Sequence, residues 1–326
     1  MKPYTCSIFI FGNGINFFTN CLEAFNHIQK LKEFFYISNF SVTEYDPRNK
    51  YTLEFKHNSS HINPIFIQTT ENYFLYTDSW EMINKTTQLM SIIYQIIELD
   101  RQENNKFLLH ASGISTEKGS LVFLGGSGSG KSSIMLKLCM DYNYKMISND
   151  KIVIGYDKYC FVEKGSKYIN LRRTSTKLFT PQLDYLFNSE IKGIRWDTKH
   201  ICFPNDIGIG FEEGRTKLLA LVKVDINYLW VGQMLFEKYI VGKIKNTDLS
   251  SVSESFSKLI RGVEQIPIQN GNKLQENIYI PLLDNESTTR NRNRFINNLI
   301  SNEKLYRLRS NIDDAVQAIV ELIEKE

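Results

Sequence analysis

Gly125-Gly126-Ser127-Gly128-Ser129-Gly130-Lys131-Ser132 is the stretch on which the fold turns. It satisfies G-x-x-x-x-G-K-[ST] at every fixed position, the pattern of a phosphate-cradling loop. Its flanks agree. Ser120 to Leu124 is a short apolar run of strand type, and Ile134, Met135, Leu138 and Cys139 recur at helical spacing. Glycines between a strand and a helix let backbone N–H groups converge on phosphate oxygens without Cβ clashes. The helix N-terminus behind them adds partial positive charge. Lys131 is then expected to reach the β- and γ-phosphates of ATP, and the Ser132 hydroxyl to hold Mg²⁺. Gly125, Gly126, Ser127, Gly128, Ser129, Gly130, Lys131, Ser132 and Ser133 form the expected nucleotide-binding set. The plainer reading, a glycine-rich turn matching by chance, leaves the strand and helix on either side without a reason.

Outward from the loop, composition sets bounds. At 326 residues the chain is long enough for about two domains. Hydrophobic residues are 42% and charged residues 23%, as in ordinary globular proteins. A net charge of +3 is small for this length and gives no sign of nucleic acid or membrane as a partner. Cys6, Cys21, Cys139, Cys160 and Cys202 are scattered and odd in number, without a C-x-x-C pair. That argues for reduced thiols and against a disulfide framework or a zinc site. The apolar run Ser7 to Phe11 is too short for a signal core and reads as a first strand, and no run approaches membrane-spanning length. A cytoplasmic location is the expectation. A homo-oligomer is compatible with the sequence.

Residues 1–104 read as a strand-rich α+β region. Tyr51 to Phe55, Ile65 to Ile67 and Tyr73 to Tyr76 are candidate strands, separated by polar turns such as Asp46-Pro47-Arg48-Asn49. Trp80 to Leu99 then reads as a helix through Met82, Leu89, Ile92, Ile93, Ile96, Ile97 and Leu99, with Asp78 or Ser79 as cap. The polar stretch Asp100 to Lys106 marks the expected boundary with a second domain, 105–326. There, strands are expected at Lys145 to Ser148, Lys151 to Ile154 and Leu218 to Val224. Ser310 and Asp313 read as a capping box before a terminal amphipathic helix. Residues 230–300 carry little pattern.

Two residues give the loop a chemical direction. Asp150 ends the apolar strand Met146-Ile147-Ser148-Asn149-Asp150, where a nucleotide enzyme holds magnesium or deprotonates an acceptor. The base role and the metal role stay unseparated here, and Asn149-Asp150-Lys151 also reads as a plain hairpin turn. His110, in Leu108-Leu109-His110-Ala111-Ser112, ends the apolar run before the strand that feeds the loop. It reads as a structural histidine or as a proton-tuning partner for the site. Arg172 and Arg173 read as a solvated pair, or as contacts to phosphate or to an acidic substrate.

Leu108 to Ile154 resembles the HPr kinase/phosphorylase superfamily: a His-containing stretch, a strand, a P-loop, a helix, and a return strand ending in an acidic pair. Leu305-Tyr306-Arg307-Leu308 followed by a helix is similar to the C-terminus of the smaller members, such as the lasso-peptide precursor serine kinases. The resemblance implies an α/β fold with a P-loop kinase core of the HPr kinase/phosphoenolpyruvate carboxykinase-like type. It implies ATP- and Mg²⁺-dependent phosphorylation of a serine hydroxyl in a peptide or protein. Its catalytic residues here would be Asp150, His110 and Lys131, with Ser132 and Asp150 at the metal. Two positions depart from the family: Asn149 stands where an Asp is usual, and Ser133 where bifunctional members carry Glu. The departures imply kinase activity without phosphorolysis. A small-metabolite kinase and a non-catalytic nucleotide sensor are the alternatives, the latter favoured by Asn149.

Overall fold

The computed structural model describes residues 3–31, 40–57, 65–77, 80, 88–187, 199–227, 229–230, 233–239, 246–261 and 283–325. Its architecture is mixed α/β. The chain divides into two compact units, one of Met1–Phe107 with Phe256–Arg292, the other of Leu108–Ser255 with Asn293–Glu326.

The first unit opens with β1 (Tyr4–Ile10), β2 (Asn13–Thr19), α1 (Leu22–Leu31), β3 (Phe40–Thr43), β4 (Thr52–His57), β5 (Ile65–Gln68), β6 (Asn72–Thr77) and α2 (Gln88–Glu103). The strands form one sheet in the order β3-β1-β2-β4-β6-β5. The pairs β2–β4 and β4–β6 are parallel, and β1–β2 is an antiparallel hairpin. Its turn is Phe11-Gly12, with φ of 52° and 86°. Positive φ at both central residues matches the right-handed strand twist. Phe11 accepts this conformation while buried, with the Arg101 guanidinium over its ring.

The expected apolar stripe of α2 is buried from Leu89 to Leu99. Met82 and the candidate caps Asp78 and Ser79 lie outside the described residues. The helix does not stop at Leu99, however, and runs on to Glu103. Arg101 and Gln102, which read as polar boundary residues, are fully buried because each has partners. Arg101 meets Glu98 at 3.4 Å and donates to the Ile10 carbonyl. Gln102 donates to Glu98 at 2.8 Å and to the Phe256 carbonyl at 3.0 Å, and accepts from Arg292 at 2.6 Å. Arg292 in turn pairs with Asp284 at 2.7 Å. Most polar atoms of this buried network are satisfied, as such networks require, Arg101 Nε being an exception. The network ties α2 to the segment that returns late in the chain.

The chain continues with β7 (Lys106–His110), β8 (Ser112–Thr116), β9 (Gly119–Leu124), α3 (Lys131–Tyr142), β10 (Lys145–Ser148), β11 (Lys151–Tyr156), β12 (Cys160–Gly165), β13 (Ile169–Arg172) and α4 (Arg173–Phe179). Then come β14 (Lys199–Cys202), β15 (Thr216–Ile226), β16 (Leu235–Lys238), α5 (Asn246–Ser257), α6 (Glu286–Ser301), β17 (Leu305–Ser310) and α7 (Ile312–Lys325). The large sheet runs β10-β8-β9-β15-β12-β11-β7, with β17 also on β15 and β16 on β17. β15 organises it. Thr216 and Lys217 pair with β12, whereas Leu218 to Lys223 run parallel to β9 and Leu221 to Ile226 parallel to β17. Every residue of β9 is buried, since it lies inside the sheet, antiparallel to β8 and parallel to β15. Helices α3 and α7 share a core with this sheet through Ile134, Leu138, Ala315 and Ile319. Among the described residues no helix is long and apolar enough to cross a membrane.

One cap differs from expectation. Ser310 belongs to β17 and does not start the terminal helix. Asn311 does: its Oδ1 accepts from the N–H groups of Asp313 and Asp314, both at 3.0 Å. Asn caps a helix as well as Ser, and it sits where the strand has already ended.

Candidate functional site

The glycine-rich loop joins the C-terminal end of β9 to the first turn of α3. Close approach explains its glycines. A Cβ on Gly130, where φ is 88°, would lie 2.5 Å from Cβ of Ile226. On Gly125 it would lie 2.7 Å from the Val224 carbonyl oxygen. The end of β15 therefore backs the loop, and Ile226 N–H donates to the Ser129 carbonyl at 3.0 Å. At Gly128, also left-handed, a Cβ would meet no protein atom within 4 Å and would enter the open cradle. Lys131 is buried, with its ammonium donating to the carbonyls of Gly125 and Gly126 at 2.8 and 2.9 Å.

One cleft is lined by the loop from Ser127 to Ser133, by His110, Asn149 and Asp150, and by residues of β13, α4 and β14. The sequence candidates thus come together. Asp150 does not sit in a hairpin. β10 and β11 flank it in sequence but are not neighbours in the sheet, so Asn149-Asp150 is a crossing between them. Backbone and hydroxyl contacts fix that crossing. The Asp150 carbonyl accepts from Ala111 N–H at 2.9 Å, and the Asn149 carbonyl from Ser112 Oγ at 3.0 Å. Ser148 and Ser166 hydroxyls, 2.9 Å apart, both accept from the Asp150 N–H.

The side chain of Asp150 is held as firmly. Oδ1 lies 3.0 Å from His110 Nδ1, and Oδ2 accepts from the Tyr168 hydroxyl at 2.8 Å. Burial pushes this carboxyl up, but the His110 hydrogen bond and charge, Lys151 and Tyr168 outweigh it and hold the group at about 2. With its Nδ1 committed to a carboxylate, the imidazole keeps one orientation and tautomer. His110 is about half exposed, at 44% of its side chain, so it remains open to the cleft.

Sequence reasoning did not find Tyr168, Ser148 or Ser166 as supports of Asp150. A Ser or Tyr carries no signal of its role until the strands that carry it are placed. Arg172 and Arg173, readable from sequence as a solvated pair or as contacts to phosphate or an acidic substrate, are separated by the structure. Arg173 turns toward Asp184, 3.7 Å away, and is 12% exposed. Arg172 lines the cleft and reaches Ser127 Oγ of the loop at 3.4 Å.

The residues present suit a nucleotide with magnesium. The cradle is open at Gly128, and Ser132 lines the cleft. The buried Asn149 Oδ1 has no hydrogen-bond partner. Among the described residues no group of three or more His, Cys, Asp or Glu gathers to bind a metal directly. A phosphate-bound Mg²⁺ does not require one, since it keeps waters and takes one or two protein ligands. All five cysteines are free and buried. Neither a scan against protein-family models nor a search of curated proteins finds a match to this chain.

Proposed function

We propose that this protein is an ATP-dependent kinase that transfers the γ-phosphoryl group to a hydroxyl, most simply serine, of a peptide or protein. The proposal extends to an HPr-kinase-like P-loop core and to a cytoplasmic setting. One observation carries the reading: the glycine-rich loop and an ionised carboxylate, fixed against an imidazole at 3.0 Å, face a single cleft. A nucleotide sensor needs the first of these and has no use for the second.

Phosphoryl transfer asks little covalent work of a protein and much positioning. In this reading the loop amides hold the triphosphate. Lys131 turns from its loop carbonyls to the phosphate oxygens and offsets their charge. Ser132 and Asp150 are the groups that would hold Mg²⁺, and Asn149 Oδ1 would accept from one of its waters. Bound there, Mg²⁺ supplies charge neutralisation between the phosphates. The Asp150–His110 pair takes the proton that leaves the acceptor hydroxyl as the new O–P bond forms and the bond from the γ-phosphorus to the bridging oxygen breaks, with ADP as the leaving group. Tyr168 and the two serines keep that pair in place.

The test is Lys131→Ala. Mg–ATP affinity by calorimetry and ATP turnover should fall by orders of magnitude while the melting temperature stays close to that of the wild type. Equal binding and turnover in the variant would remove the basis of the proposal.

A further inference from the structure

The ribbon β13–β14 stands over the cleft, and its register sorts its side chains. Ile169 is opposite Cys202, Asn170 opposite Ile201, Leu171 opposite His200, and Arg172 opposite Lys199. Directly opposed residues share a face. Ile169, Leu171 and Cys202 are buried in the core. The other face carries Asn170, Ile201, Arg172 and Lys199; its three polar residues line the cleft, which Leu171 also reaches.

Three features of that face need an explanation. Arg172 and Lys199 are like charges in a directly opposed pair, which destabilises a ribbon unless an anion lies near. Among the described residues, neither is paired with a carboxylate. The ribbon also bridges two points of the site. Just before it, Tyr168 holds Asp150 at 2.8 Å, and at the end of its first strand Arg172 reaches Ser127 of the loop at 3.4 Å. The cationic face therefore spans the gap between the phosphate loop and the proton-accepting pair. A phosphoryl group in transit crosses that gap.

Charge supports the placement. Lys131, Arg172 and Lys199 line the cleft together with one carboxylate, Asp150. The excess is two positive charges, and a magnesium-bound nucleoside triphosphate carries about two negative ones. The diphosphate carries about one fewer, and the group it lacks is the γ-phosphate.

We propose that Arg172 and Lys199 form a clamp for the γ-phosphoryl group, delivered by the β13–β14 ribbon and separate from the loop that holds the rest of the triphosphate. The inference rests on the nucleotide reading above. Arg172, with its planar fork of donors, can hold two phosphate oxygens at once.

Calorimetry of the full chain with Mg–ATP and with Mg–ADP tests it. The proteins are wild type, Arg172→Gln, Lys199→Gln and the double variant, with melting temperature as the control for folding. The variants should bind Mg–ATP about tenfold or more weakly, with Mg–ADP changed by less than about twofold. An unchanged ratio of the two affinities, whether both hold or both fall together, would overturn the clamp and leave the nucleotide reading standing. Wild-type protein that binds neither nucleotide would overturn both.

Discussion

Replacing Asp150 by Asn keeps the shape of the side chain and removes its charge, and the structure gives the size of the effect. The carboxyl lies at about 2 in the fold against an ordinary 3.8. At about 1.36 kcal/mol per pH unit, that difference is worth about 2 kcal/mol of stability at neutral pH. The sign follows from the direction. A lowered value means stabilisation that is complete above the unfolded value and lost as pH falls through the folded one. About 1.3 kcal/mol should remain at pH 3. Urea unfolding of both proteins should therefore show a gap of about 2 kcal/mol at pH 7 that narrows to roughly half at pH 3. Phosphoryl transfer should fall by about 10²–10⁴-fold, because the proton acceptor is gone. Mg–ATP affinity should fall far less than transfer, by about tenfold or less, since the triphosphate rests mainly on the loop and Lys131 and the amide keeps an oxygen for the metal. A stability gap that ignores pH would show that the His110–Asp150 contact is not ionic. Near-normal transfer would show that the proton leaves by another route.

Three further outcomes follow from other contacts. His110→Ala should slow transfer, and combining it with Asp150→Asn should cost much less than the two effects multiplied, because the residues act as one unit; a multiplicative double variant would contradict this. Gly130→Ala should destabilise by about 2–4 kcal/mol, from left-handed strain and collision with Ile226, and a melting curve within about a degree of wild type would refute the close approach. Asn311→Ala should cost about 1 kcal/mol through the lost cap of α7, read by urea unfolding, whereas Ser310→Ala at the position expected to cap should not cost as much by that route.

Legibility followed distance along the chain. The loop, its strand and its helix were readable because all the information lies within about two dozen adjacent residues. His110 and Asp150 were identified singly, yet their pairing was not, since it depends on a sheet in which β7 and β10 lie at opposite ends of the strand order. Tyr168 was invisible because its role exists only relative to Asp150. Arg172 and Arg173 looked alike in sequence, and only alternation along β13 and the start of α4 sends them to different surroundings. The end of α2 was misread for a related reason. Arg101 and Gln102 look like surface, and they have partners far away along the chain, the Ile10 carbonyl for Arg101 and Phe256 and Arg292 for Gln102. Of the weakly patterned stretch 230–300, the described parts hold β16, α5 and most of α6; α6 is rich in Arg, Asn and Thr, and Thr288 and Arg292 join its few apolar residues on the buried face.

The interleaving of the two units bears on how the protein is made. The first unit draws on residues up to 107 and again on 256–292. On the ribosome, Gln102 has been synthesised for some time before the Phe256 carbonyl and Arg292 arrive to satisfy it. The N-terminal sheet must therefore wait, incompletely closed, while the glycine-rich loop and its sheet emerge. The second unit waits in turn for β17 and α7. A single cut near residue 105 would leave an N-terminal fragment with an unsatisfied polar core and a C-terminal one with a surplus segment. No single cut or single deletion therefore separates the units, because each is built from two stretches of chain, and the completion of either comes only late in translation.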